Sequence, residues 1–145
     1  MKLKLQNIFF IIVLLSIFYF SACTGSLFQK NAVFENSEWI LQSFNYTDIS
    51  NPGDKIFIRF GKEDKKITGF GGCNTLFGSY SITGSDMKIK AGKTKMACDE
   101  NMQTEDKLMQ LLEVTTEFRE ITSSNMDYLR LITSTGESIE FRLKK

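Results

Sequence analysis

Residues 67–80 read ITGFGGCNTLFGSY. A strand-like start at 66–70 runs into two glycines, a cysteine and an asparagine, and a second strand-like stretch begins at Gly78. Gly71 and Gly72 permit positive φ or a close backbone approach, so a bulge or sharp turn is expected before Cys73. Asn74 can bond its side chain to nearby backbone and close that turn. The same glycines make a poor phosphate loop, because neither a helix nor a Gly-Lys-Ser/Thr run follows them.

Working outward, residues 55–60 (KIFIRF) alternate, with Ile56, Ile58 and Phe60 on one face. Residues 38–44 read as a first strand, and Asn51-Pro52-Gly53-Asp54 is a turn signal. On the other side, 78–82 and 87–90 flank Thr83-Gly84-Ser85-Asp86, a hairpin with about four turn residues. After Cys98 the period changes. Residues 99–106 are acidic and rich in cap-type side chains, and Met102, Leu108, Met109 and Leu112 fall on one side of a helix ending near Val114. Strands are expected again at 117–122, 128–133 and 138–143, the last two joined by a turn at 134–137. Short strands with turns roughly every eight to twelve residues predict an α+β, mostly β fold: a curved antiparallel sheet or open barrel with one helix packed on it.

The chain has 145 residues, enough for one domain. Its net charge of +1 offers no argument for a nucleic-acid partner. It contains no histidine, which removes the commonest general base, the commonest zinc ligand and every Ser-His or Cys-His pair. No cofactor is implied.

The N-terminus reads as an export signal. Lys2 and Lys4 precede thirteen residues, 8–20, that are almost wholly apolar, and small residues follow. A membrane-spanning helix needs about 20 apolar residues. Phe20-Ser21-Ala22-Cys23 resembles the lipobox of bacterial lipoproteins. That resemblance implies diacylglycerol on the Cys23 thiol, cleavage before Cys23 and usually acylation of the new amine. The family normally has Leu where Phe20 stands. One acyl chain holds a protein only marginally, whereas two or three hold it firmly. The expected organisation is a signal peptide at 1–22, a tether at 23–33 and a folded domain at 34–145. Removing the signal leaves 16 basic against 17 acidic side chains. Thr24 is not an aspartate-type retention residue, so a periplasm-facing outer-membrane site is favoured in a cell that has one.

A second resemblance covers about 37–143. Ile67 to Asn74 with its Gly72-Cys73-Asn74 core, then Gly78 and Tyr80 as G-x-Y, then Thr94-Lys95-Met96-Ala97-Cys98 as T-x-M-A-C, then Glu105, resemble the META/HslJ-like domain. Trp39 matches that family's opening tryptophan, and 128–143 its closing hairpin. The resemblance implies an envelope-associated, mostly β domain with one helix, and loosely a stress-related role. It brings no established reaction, substrate or catalytic residue.

Cys73 and Cys98 have four readings. A nucleophile would need a cationic or basic neighbour, and Lys95 is a poor substitute for histidine. A zinc site would need carboxylates to complete it. Two buried free thiols remain open. A mutual disulfide is favoured by the oxidising compartment that export implies. For Glu105 one reading is a carboxylate in the first helical turns, favoured by the helix dipole and reaching solvent. The other is a partly buried carboxylate bonded to backbone amides or to Thr94. Asp99, Glu100, Glu105 and Asp106 lack the ligand order of a calcium loop, so no metal is expected. Lys88, Lys90, Lys93 and Lys95 form a basic row suited to anionic head groups or polysaccharide, or simply to discouraging edge pairing.

These readings lead to a non-enzymatic envelope lipoprotein, held to the membrane by lipid and acting as a small binding or accessory module on an envelope protein or polymer. The alternative is an inhibitor of a protease or cell-wall hydrolase, since a pre-organised β domain lowers the cost of association.

Overall fold

Alternation along each strand decides which side chains fill the interior. In the computed structural model, which describes residues 34–49, 55–122 and 126–145, Ile56, Ile58 and Phe60 are fully buried while Arg59 is exposed. The expected signal peptide, Cys23, the 23–33 tether and the 51–54 turn lie outside the described residues.

The elements are β1 (Glu38–Phe44), β2 (Thr47–Asp48), β3 (Phe57–Phe60), β4 (Lys66–Phe70), β5 (Thr75–Thr83), β6 (Asp86–Lys93), α1 (Met102–Glu113), β7 (Thr115–Thr122), β8 (Asp127–Thr133) and β9 (Ser138–Leu143). All neighbours pair antiparallel in the order β2-β1-β3-β4-β5-β6-β7-β8-β9. β1 also pairs with β9, from Trp39↔Leu143 to Phe44↔Ile139, so the sheet closes into a barrel. The weakest seam is β6–β7, which share the single pair Asp86↔Glu117. β6 runs on past the start of β7, and α1 packs against β6, β8 and β9 at that end of the barrel.

Four differences from the expected elements stand out. β5 begins at Thr75 rather than Gly78, because Thr75 and Leu76 pair with Phe70 and Gly69. The β5–β6 hairpin turns on two residues, Gly84 and Ser85, since Thr83 and Asp86 already face each other. In α1 the buried side is Glu105, Leu108, Leu111 and Leu112; Met102 is exposed and Met109 half-buried. Each buried leucine contributes about 1.5–3 kcal/mol. The helix is also not capped by a side chain. Asn101, at its N-terminal boundary, takes φ 64° and makes no capping bond through its amide.

At Gly78 the backbone of β6 comes close: a Cβ there would lie 2.1 Å from the Lys90 carbonyl oxygen. The opposite end of the barrel from α1 is filled by Phe34. Its ring meets Phe60 and Phe118 edge-on at 5.1 and 4.9 Å. Its N–H donates to Glu120 Oε1 at 2.7 Å, and its carbonyl accepts from Trp39 Nε1 at 2.8 Å.

Candidate functional site

The 71–74 turn, the 94–98 segment and the first turn of α1 meet at one end of the barrel. Gly72 takes φ 106°, and a Cβ on it would lie 2.8 Å from Asn101 Cβ. A Cβ on Gly71 would lie 2.6 Å from Glu105. Both glycines are therefore needed: Gly72 for its conformation, Gly71 to let the helix carboxylate approach the turn.

Glu105 is fully buried, so the solvent-reaching reading is wrong. Its Oε2 accepts from the N–H of Cys73 at 3.1 Å and of Asn74 at 2.6 Å. Its Oε1 accepts from Asn74 Nδ2 at 2.7 Å and from Lys93 Nζ at 2.8 Å. Two bonds to each oxygen use the acceptor capacity of a carboxylate. Burial pushes the Glu105 pKa up. Lys93, the Asn74 amide groups and the Cys73 N–H outweigh it and hold the group below its ordinary value. A carboxylate that meets the backbone amides of a turn explains why a charged residue takes an inward helical position.

Asn74 is saturated as well. Its Oδ1 accepts from Met96 N–H at 2.7 Å and from the Thr94 hydroxyl at 2.9 Å. Its Nδ2 donates to Glu105 and, at 3.3 Å, to Met96 O. The side-chain amide thus pairs with the Met96 peptide as a strand neighbour would. This bonding bridges chain segments 22 residues apart, rather than closing a turn locally as expected. The Thr94 hydroxyl also accepts from Thr75 N–H at 3.2 Å. Met96 contributes its backbone, and its side chain is 62% exposed. Cys73 and Cys98 are joined by a disulfide across 25 residues, Cα atoms 5.9 Å apart, alongside this network.

Of the residues singled out from sequence, Gly72, Cys73, Asn74, Thr94, Met96, Cys98 and Glu105 come together here. Trp39 and Tyr80 do not. Trp39 is buried beside Phe34. Tyr80 is buried with its hydroxyl bonded to Glu35, which also pairs with Lys65, and 2.9 Å from Gly61 O. Burial and the Glu35 carboxylate push the Tyr80 hydroxyl pKa up. An apolar crevice of about 150 Å³ lies at this end, lined by Phe34, Trp39, Ile121, Tyr128 and Leu143, with Glu120 and Asp127.

Sequence reasoning missed Lys93 as the partner of Glu105, and it missed Glu35. The signal for Lys93 was its spacing. Lys88 and Lys90 share the outer face of β6, whereas Lys93, three residues on, faces inward opposite Leu76 and bonds Glu105 and Asp106. The basic row is therefore broken at Lys93. β6 pairs along its whole length with β5 but shares only Asp86↔Glu117 with β7, so its second edge is largely unpaired and lysines beside it discourage edge pairing. Among the described residues no group of three or more His, Cys, Asp or Glu could hold a metal ion.

A family model described as META domain matches residues 32–145. Two solved structures share the fold. One is the NMR structure of a protein from Burkholderia xenovorans, with TM-score 0.65 and 20% identity, covering 77% of this chain and 84% of that one. The other is the crystal structure of a DUF4847 family protein from Bacteroides vulgatus, with TM-score 0.58 and 16% identity, covering 76% of this chain and 94% of that one. At these identities the likeness is one of fold. No curated protein matches the chain.

Proposed function

The chain belongs to the META domain family, and from that premise we propose that it serves as a non-enzymatic, lipid-anchored accessory module of the bacterial envelope. The anchor is Cys23 at the end of the lipobox-like Phe20-Ser21-Ala22-Cys23. The observation that carries the non-enzymatic part is the saturation of the motif residues. Both oxygens of Glu105 and both amide atoms of Asn74 are spent on protein groups, so neither offers a free acceptor or donor to a substrate. The motif works as a clasp that holds helix, turn and wall together. Binding then belongs to the outside of the barrel, with the accessory role directed at an envelope protein or polymer.

Mass spectrometry of the mature protein, with in-cell crosslinking, tests this. The expected product starts at Cys23, carries the added mass of diacylglycerol and an acyl group, and crosslinks to an envelope component; Cys23→Ser leaves it unlipidated. A cytosolic chain that keeps Met1 and gains no lipid mass overturns the proposal.

A further inference from the structure

The barrel wall has two chemically distinct sides. On β7–β9 the arginines are matched: Arg119 with Glu117 at 3.4 Å and Arg130 with Glu140 at 2.7 Å. On β5–β6 the outward lysines are not. Lys88 stands opposite Ser81 and Lys90 opposite Ser79. Both are exposed, and neither has an acidic partner among the described residues. On the same face, diagonal to Lys90, Phe77 is 52% exposed. One face of its ring lies over Gly92, within 2.8 Å of where a Cβ would be, which leaves the other open. Two strands over, Phe57 and Phe70 face each other across the β3–β4 pair, half-buried on the same outer surface.

The geometry points to a membrane-docking face: the outer surface of β4–β6, centred on Phe77, Lys88 and Lys90, lies against an anionic lipid surface. Two observations select this occupant. Unpaired cations beside an open aromatic ring match the chemistry of an anionic bilayer interface, where lysine meets head groups and an aromatic ring enters the boundary. Reach agrees, and here the inference rests on the lipid-anchor reading. Ten residues lie between Cys23 and Phe34, a span of at most about 40 Å. β5 has nine residues and is about 30 Å long. Phe34 packs on Tyr80 of β5, one of the strands that carry this face, as well as on Phe60 of β3 and Phe118 of β7. A short leash therefore keeps the wall beside the membrane, and lysines that would be weak alone act at high local concentration.

The test uses the chain from Thr24 to Lys145, which contains the whole barrel and no acyl group. It is sedimented with vesicles of phosphatidylcholine alone or mixed with phosphatidylglycerol. Binding is expected only with phosphatidylglycerol, falling as salt rises. At about fivefold per lysine, Lys88→Gln with Lys90→Gln should lower partitioning roughly twenty- to thirtyfold, with an unchanged circular dichroism spectrum. In a Phe77→Trp variant, emission should shift to the blue on binding and be quenched by brominated lipid. Three results overturn the proposal: no binding to anionic vesicles at low salt, equal binding to neutral ones, or binding indifferent to the lysine pair. Capture by soluble polygalacturonate without vesicle binding also overturns it, in favour of an acidic polymer. Because the probe carries no lipid, failure here is distinct from failure of the Cys23 anchor, which the mass measurement decides.

Discussion

Asn74 Nδ2 donates to Glu105 Oε1 at 2.7 Å, joining the glycine turn to the helix across 31 residues of chain. The same two residues meet a second time, through Asn74 N–H and Glu105 Oε2 at 2.6 Å. The fold is held here by a polar clasp, and the consequences are measurable.

Glu105→Gln replaces a carboxylate that meets four donors with an amide that has one acceptor oxygen. The expected loss is about 2–4 kcal/mol at neutral pH, read as a lower Tm. The pH dependence has a definite sign. Burial raises the Glu105 pKa, but Lys93, Asn74 and Cys73 lower it further, so the folded value lies below the unfolded one. Its stabilisation is complete above the unfolded value of about 4.3 and is lost as pH falls through the folded value. The Tm difference between wild type and Glu105→Gln should therefore shrink on acidification. A difference that is constant down to the acid limit would refute this account.

Asn74→Asp keeps the shape and removes both side-chain donors, placing a second carboxylate against Glu105. Lys93 cannot neutralise both, since it already serves Glu105 and Asp106. Destabilisation of about 3 kcal/mol or more is expected, largest near neutral pH and relieved in acid. Urea unfolding at two pH values checks it.

Removing the Cys73–Cys98 bridge by a double Cys→Ala substitution frees a loop of 25 residues, costing about 3.5 kcal/mol in the chain-entropy account. Denaturant titration with and without reductant should show the wild type falling to the stability of the variant, and the variant unmoved.

Gly78→Val would press a side chain into the backbone of β6, where Lys90 O lies 2.1 Å from the Cβ position. The wall must shift, and about 1–3 kcal/mol is lost. Ser79→Val, exposed on the next residue of the same strand, serves as the control and should stay within about 0.5 kcal/mol of wild type.

The strands were legible because alternation is local: Ile56, Ile58 and Phe60 are fully buried as their spacing says. Closure of the barrel was not, since β1–β9 pairing joins the two ends of the domain and leaves no local mark. The helix was legible in position and in most of its inward side. Glu105, Leu108 and Leu112 take the inward side their spacing gives them, whereas Met102 is exposed; the amides of Cys73 and Asn74 are what make an inward carboxylate favourable. Lys93 shares the charge of its neighbours, but its odd offset from Lys90 turns it to the other face. Family resemblance gathered the motif residues without showing that Tyr80 sits with Glu35 rather than with Glu105.

Phe34 is the first described residue of the domain, held through its N–H by Glu120 and through its ring by Phe60 and Phe118. Under a load applied at that rim the plug would be uncorked first, while the knot around Cys73, Asn74 and Glu105 at the far end stays slack.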